Sequence, residues 1–310
     1  MIRPSDWHLR RIGLNCRETV SSSCVRVAVI DTGIGLDNTA SHLIPRHQVF
    51  QNAEIMLGKN YFFPGQPPQD DTGHGSAIAA MIAGQASGHF PGGVCPGALL
   101  YIVKAVAHER NGQENHWAWA IRDIVDRACE DSIRTVINLS AGGRPTAFLE
   151  ESVAYADTHN VPIVTISHND GVASSRYPGA YGEKYGSLIC VGAIDEEDKQ
   201  LMDESGRGSN GGSALSVVGP GSRIMVPGLG KEDLLTVSGT SIAAALVSGV
   251  AARLLSIYPE LTSRNLRKLL EVSAEHPELS FPRRCERLGY GCVRLDMAIR
   301  AMQAGHRSQF

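Results

Sequence analysis

Apolar residues recur along the chain in short continuous runs, and between the runs they recur at helical spacing. The runs are Val25–Ile30, Leu99–Val106, Thr135–Leu139, Val161–Ile166, Leu188–Ile194 and Leu215–Val218. They are rich in Val and Ile with little polar alternation, the pattern of strands covered on both faces. Helical patterns fall at Ser76–Ile82, His116–Cys129, Phe148–His159 and Ser241–Ile257, with a closing pair near Ser263–Ala274 and Val293–Gln303. Pro64 to Pro68, Gly92-Gly93, Gly142-Gly143 and Ser205 to Gly212 mark loops. Strands alternating with helices in this way predict an α/β fold, a doubly wound and mostly parallel sheet with helices on both faces. No repeat, low-complexity tract or linker interrupts the alternation. Residues 25–310 therefore read as a single domain, preceded by an N-terminal extension, 1–24.

Composition narrows the function classes. The chain has 310 residues, 43% hydrophobic and 20% charged, which excludes a disordered polymer. A net charge of -3 removes the basic excess of a nucleic-acid protein. Arginines near the ends (Arg3, Arg10, Arg11; Arg283, Arg284, Arg287) read as solvated surface. The longest apolar stretch, Ile242 to Leu255, is interrupted by Ser248, Gly249 and Arg253 and falls short of a bilayer, so no membrane partner is expected. The N-terminus, Met1-Ile-Arg-Pro-Ser-Asp-Trp-His, has no apolar secretory core. Seven cysteines (16, 24, 95, 129, 190, 285 and 292) are scattered without a CxxC pair. They read as reduced thiols rather than a disulfide framework or a metal site, and the expectation is an intracellular enzyme or a catalytic domain of a longer protein.

Three segments place a reactive side chain beside glycines at a strand end or a helix start. In VRVAVIDTGIG, Asp31 ends a hydrophobic strand, where sites form in open α/β sheets. The same letters suit a plain turn or an aspartic protease, and Gly33-Ile34-Gly35 lacks the third glycine of a dinucleotide loop. In DDTGHGSAIAA, His74 sits between two glycines ahead of an apolar helix, a poor setting for a packed core histidine. In VSGTSIAAALVSGVAARLL, Ser241 opens a long alanine-rich helix, either as a simple N-cap or as a nucleophile. The chemistry needs the three together. A serine hydroxyl needs an imidazole to take its proton, and the imidazole needs a carboxylate to fix its tautomer. The oxyanion needs aimed donors, and the N–H of Ser241 at a helix start supplies one.

The order Asp, His, Ser and the letters around each resemble the three signature blocks of the subtilase family, from about Val25 to Met302. VINLSAGG (136–143) resembles the family's substrate-binding strand. VPIVTISHNDG (161–171) resembles the segment with its oxyanion asparagine, which makes Asn169 that residue. RYPGAYGEKYGSLICVGAID (176–195) resembles the block that follows. The resemblance implies a serine endopeptidase with Asp31, His74, Ser241 and Asn169 as its catalytic residues. It implies an extended peptide held between Leu139, Ser140, Ala141 and Gly142 on one side and Arg110, Asn111 and Gly112 on the other, in the manner of an added strand. It also implies a cis bond at Tyr177-Pro178 and a primary pocket lined by Asp170 and Arg176. Arg176 stands where relatives carry a small residue. It either pairs with an acidic substrate side chain, is neutralised by Asp170, or turns to solvent and leaves an apolar slot.

The chain also departs from the family. Ser76 and Ala77 replace a Thr and a second His, and Ala245-Leu246 replaces Pro-His after the nucleophile. Loop Gln85–Gly92 lacks the carboxylates with which many relatives hold calcium, so no cofactor is expected. The family's propeptide has no counterpart among the residues before Val25. Two rivals remain. A binding module on the same fold would lose one of the four catalytic residues, and none is lost. An α/β-hydrolase esterase, suggested by Gly239-Thr-Ser241-Ile-Ala243, places its acid and His after the Ser, where only His276 and His306 follow. A cysteine hydrolase lacks a Cys in a Gly-rich loop before a helix.

Overall fold

Strand β1 (Val25–Asp31) is buried along its whole length. Its side chains divide by parity, as a pleated strand requires: Val25, Val27 and Val29 enter one core, and Ala28 and Ile30 enter another. The computed structural model describes residues 6–14, 25–38, 43–107, 113–277 and 283–304. β1 pairs in parallel with β5 (Leu99–Lys104) on one side and β6 (Arg134–Leu139) on the other. β4 (Ile55–Asn60) extends the sheet beyond β5, and β7 (Ile163–Ile166), β8 (Leu188–Ile194) and β9 (Leu215–Pro220) extend it beyond β6. The result is seven parallel strands in the order β4-β5-β1-β6-β7-β8-β9. Chain direction across the sheet reverses around β1, so the carboxyl ends of β1, β6 and β7 meet at the switch point where α/β folds build sites.

Two layers of helix cover this sheet. α2 (His74–Ala83) and α5 (Thr240–Ile257) lie in the first core; α3 (Glu114–Asp131) and α4 (Ala147–Thr158) contribute to the second. All but three of the 18 residues of α5 are buried. It is long and apolar enough by composition to cross a bilayer, yet 83% of it is buried inside the fold. α4 and α6 (Ser263–Val272) start at threonine N-caps, Thr146 accepting from the Leu149 N–H and Thr262 from the Asn265 N–H. Before the first strand, the short helix α1 (Trp7–Arg11) puts Leu9 and, just after it, Ile12 into the first core. The Ile12 carbonyl accepts from the N–H of Leu295, which opens α7 (Leu295–Gln303).

The sequence reading differs from the structure at several places. β5 stops at Lys104 rather than Val106, because the N–H groups of Ala105 and Val106 both turn to the Asp31 carbonyl at 3.0 and 3.1 Å. β4 carries Gly58 and Lys59 and forms the sheet edge, so no apolar run announces it. Two short hairpins add β2 (Leu36–Asn38) to β3 (Leu43–Pro45), and β10 (Ile224–Pro227) to β11 (Leu234–Val237). Cys95, Cys129, Cys190, Cys285 and Cys292 are free thiols, while Cys16 and Cys24 lie outside the described residues. The Tyr177-Pro178 bond is cis.

Candidate active site

Asp31 is the last residue of β1 and has no exposed surface. Its Oδ1 accepts from the Thr32 N–H and from His74 Nδ1, both at 2.7 Å. Nδ1 must carry the proton to make that bond, which leaves Nε2 as the basic nitrogen of a neutral ring. His74 opens α2, and the helix reaches this close only because residue 75 is glycine. A Cβ on Gly75 would lie 2.3 Å from the Gly33 carbonyl oxygen. Burial disfavours the charged imidazole, but Asp31, and Asp70 beside it, outweigh burial and hold the His74 pKa above 6.5.

Asp70 caps the start of α2 in place of Gly73, whose φ is 88°. Its Oδ1 accepts from the N–H groups of Thr72 and Gly73 and from the Thr32 hydroxyl, and its Oδ2 accepts from the Ser76 N–H and hydroxyl. These donors overcome burial, which alone would raise the pKa, and keep it below the usual carboxylate range. Ser76 thus has a defined task, tying Asp70 to the Gly35 N–H, which it accepts at 2.9 Å. The sequence reading passes over Asp70; its only signal is a carboxylate four residues before a glycine-flanked helix start.

Ser241 is the second residue of α5, behind Gly239 at φ 152° and ψ 166°. That region is open essentially to glycine alone. Asn169 follows β7, and its Oδ1 accepts from the Thr240 N–H at 3.0 Å. Because an N–H needs an acceptor, this bond fixes the amide orientation and leaves the Asn169 NH2 as a donor. A buried chain of hydrogen bonds joins β6 to α5: the Asn138 amide donates to Ser140 Oγ at 3.0 Å, and the Ser248 hydroxyl donates to Asn138 Oδ1 at 2.9 Å. It locks the strand leading to residues 140–142 against the helix that carries Ser241.

His74, Asn169 and Ser241 line one cleft of about 1310 Å³, together with Ser140, Ala141 and Gly142. Leu139 ends β6 just before them. Arg110, Asn111 and Gly112 lie outside the described residues. Gln113, another residue the sequence does not point out, accepts from the Ala107 N–H at 2.7 Å and donates back to the Ala107 carbonyl. Arg176 lines the cleft too, but its Nε and Nη2 bind Asp170 Oδ2 and Oδ1 at 2.6 and 2.9 Å. Arg176 holds the Asp170 pKa down at about 2. Of the three fates open to Arg176 in the sequence, this geometry is internal neutralisation.

Residues 22–291 match the profile of the subtilase family. The chain is 32% identical over 271 residues to subtilisin E of Bacillus subtilis, covering 84% of this chain and 63% of that protein. It is equally similar, 32% over 271 residues, to a subtilisin of Bacillus pumilus, of which it covers 87%. Among solved structures, a serine-to-alanine mutant of the protease domain of PatA superposes with a TM-score of 0.73 at 25% identity, covering 93% of this chain and 98% of that one. With this fold and this match over most of its length, the chain belongs to the subtilase family of serine endopeptidases.

Proposed function

We propose that the cleft hydrolyses peptide bonds through an acyl-enzyme on Ser241. His74 Nε2 takes the hydroxyl proton as Ser241 Oγ attacks the scissile carbonyl, then delivers it to the leaving amine. Asp31 orients the imidazole and stabilises its cation. The oxyanion is held by the Asn169 NH2 and the Ser241 N–H. Water then enters, His74 removes its proton, and the ester is cleaved. The observation that carries this reading is the 2.7 Å bond from His74 Nδ1 to Asp31, at a cleft that Ser241 and Asn169 also line.

The substrate is proposed to be a protein or peptide bound as an extended strand along residues 139–142, with residues 110–112 opposite. No other described residue hydrogen-bonds the Gly142 backbone. This mode grips main chain, so an unfolded stretch of protein is the required form. The steps use side chains, backbone and water alone. Loop 85–92 offers no carboxylate, so no calcium is proposed there. Digestion of an unfolded protein such as reduced casein tests the proposal. Native protein should degrade it and Ser241→Ala should leave only a trace rate; normal digestion by Ser241→Ala would refute the assignment.

A further inference from the structure

One wall of the cleft carries polar side chains that the reaction does not use. His168 immediately precedes Asn169, and Arg176 comes from the loop that follows; both line the cleft. They converge on Gly142, where an added Cβ would lie 2.6 Å from His168 Cδ2 and 3.3 Å from Arg176 Cβ. One carboxylate oxygen joins them: Asp170 Oδ2 accepts from His168 Nδ1 at 3.0 Å and from Arg176 Nε at 2.6 Å. His168 holds this place with φ at 92°, a backbone region disfavoured for a residue with a side chain.

The hydrogen-bonding capacity left over is specific. Since His168 Nδ1 donates to Asp170, the neutral ring presents Nε2 as an acceptor. Among the described residues nothing bonds to Nε2, nor to Arg176 Nη1, which keeps its N–H donors. Asp170 already matches the arginine charge. The wall therefore offers one acceptor and one donor, with the Arg176 charge already matched. A substrate carboxylate would bring a second anion towards Asp170, and an alkyl side chain would leave both groups unanswered. A primary carboxamide answers both, its oxygen accepting from Nη1 and its NH2 donating to Nε2.

We propose that His168 and Arg176 select glutamine or asparagine as the residue supplying the scissile carbonyl. This rests on Ser241 and Asn169 being nucleophile and oxyanion donor, because that places the acyl residue's side chain beside residue 168. The selection depends on pH. The charged groups that face His168 are Asp170, Arg176 and Arg207. Burial lowers its pKa, with Arg176 and Arg207 adding and Asp170 opposing, so the outcome lies below the ordinary 6.5. In acid the ring gains a proton, Nε2 becomes a donor, and the wall turns cationic. Preference then moves towards glutamate and aspartate.

Matched peptide substrates differing only at that residue (Gln, Glu, Phe) test this, read as ratios of kcat/KM so that the ionisation of His74 cancels. At pH 7.5 the Gln substrate should exceed both Glu and Phe by about tenfold or more, the fold-change of roughly one net hydrogen bond. The Gln/Glu ratio should fall as pH is lowered below 6.5. His168→Gly, tolerated at this backbone geometry, should collapse the Gln/Phe ratio. Asp170→Asn, which leaves the Arg176 charge unmatched, should shift preference to Glu. A native preference for Phe, a Gln/Glu ratio near one at pH 7.5, or a ratio unmoved by His168→Gly would overturn the proposal. Labelling of Ser241 by a fluorophosphonate separates the two levels. Labelled protein with the wrong preference refutes the selectivity alone, whereas protein that neither labels nor cleaves refutes the protease reading and the selectivity with it.

Discussion

His8 sits on α1 with no exposed surface, and neither ring nitrogen has a hydrogen-bond partner among the described residues. Burial lowers its pKa from 6.5 to about 4, with Asp6 pulling the other way. The folded chain needs this ring neutral, whereas the unfolded chain protonates it near pH 6.5. The associated stability is therefore complete above pH 6.5, declines as pH falls towards 4, and declines no further below that. At 1.36 kcal/mol per pH unit, the loss across that window is about 3 kcal/mol. His8→Leu removes the titrating group and the unpaired polar atoms, so it should stabilise the protein at neutral pH by about 1 kcal/mol and by more in acid. Urea unfolding in a Ser241→Ala background, which avoids self-digestion, measures the gap between the His8→Leu variant and its parent at pH 7.5 and 4.5. The gap should widen by about 2–3 kcal/mol at the lower pH. An equal gap at both would refute the reasoning.

Other perturbations act closer to the chemistry. Asn169→Ala should lower kcat by about a hundred- to a thousand-fold with little change in KM, the range known for the equivalent donor in subtilisin itself; stopped assays on one peptide decide it. Gly239→Ala meets no atom within 3.4 Å, the nearest being Asn169 Nδ2 at 3.7 Å, so its cost is backbone strain, about 1–3 kcal/mol, read as a lower unfolding midpoint together with a lower kcat. The kcat/KM profile should fall on the acid side with a midpoint above 6.5, because protonated His74 cannot accept a proton and its pKa is raised. Asp31→Asn should cut kcat by about ten-thousand-fold, as in the serine-protease case where the His tautomer is lost.

The sequence makes the fold class and six of the seven sheet strands plain, because parallel strands covered on both faces must be apolar without a break. β4 escapes because an edge strand tolerates Gly58 and Lys59. The β10–β11 hairpin escapes because no residue of β11 is fully buried, so the pair carries no sheet-core pattern. At the site, residues whose chemistry declares itself next to glycines (Asp31, His74, Ser241) stand out. Residues whose role depends on how the loop folds around them do not. Asp70 looks like one more turn carboxylate until the bonds it accepts from Thr32, Thr72, Gly73 and Ser76 are seen, and His168 looks like a loop residue until Asp170 and Arg176 close around it. Arg176 itself draws notice in the sequence, but only the structure reveals that Asp170 has taken its charge.

Which atom becomes acylated decides the mechanism most directly. Native protein treated with a fluorophosphonate, digested and mapped by mass spectrometry, should carry a single adduct on Ser241, formed slowly in His74→Ala and not at all in Ser241→Ala. An adduct on another residue, or full labelling of Ser241→Ala, would contradict it.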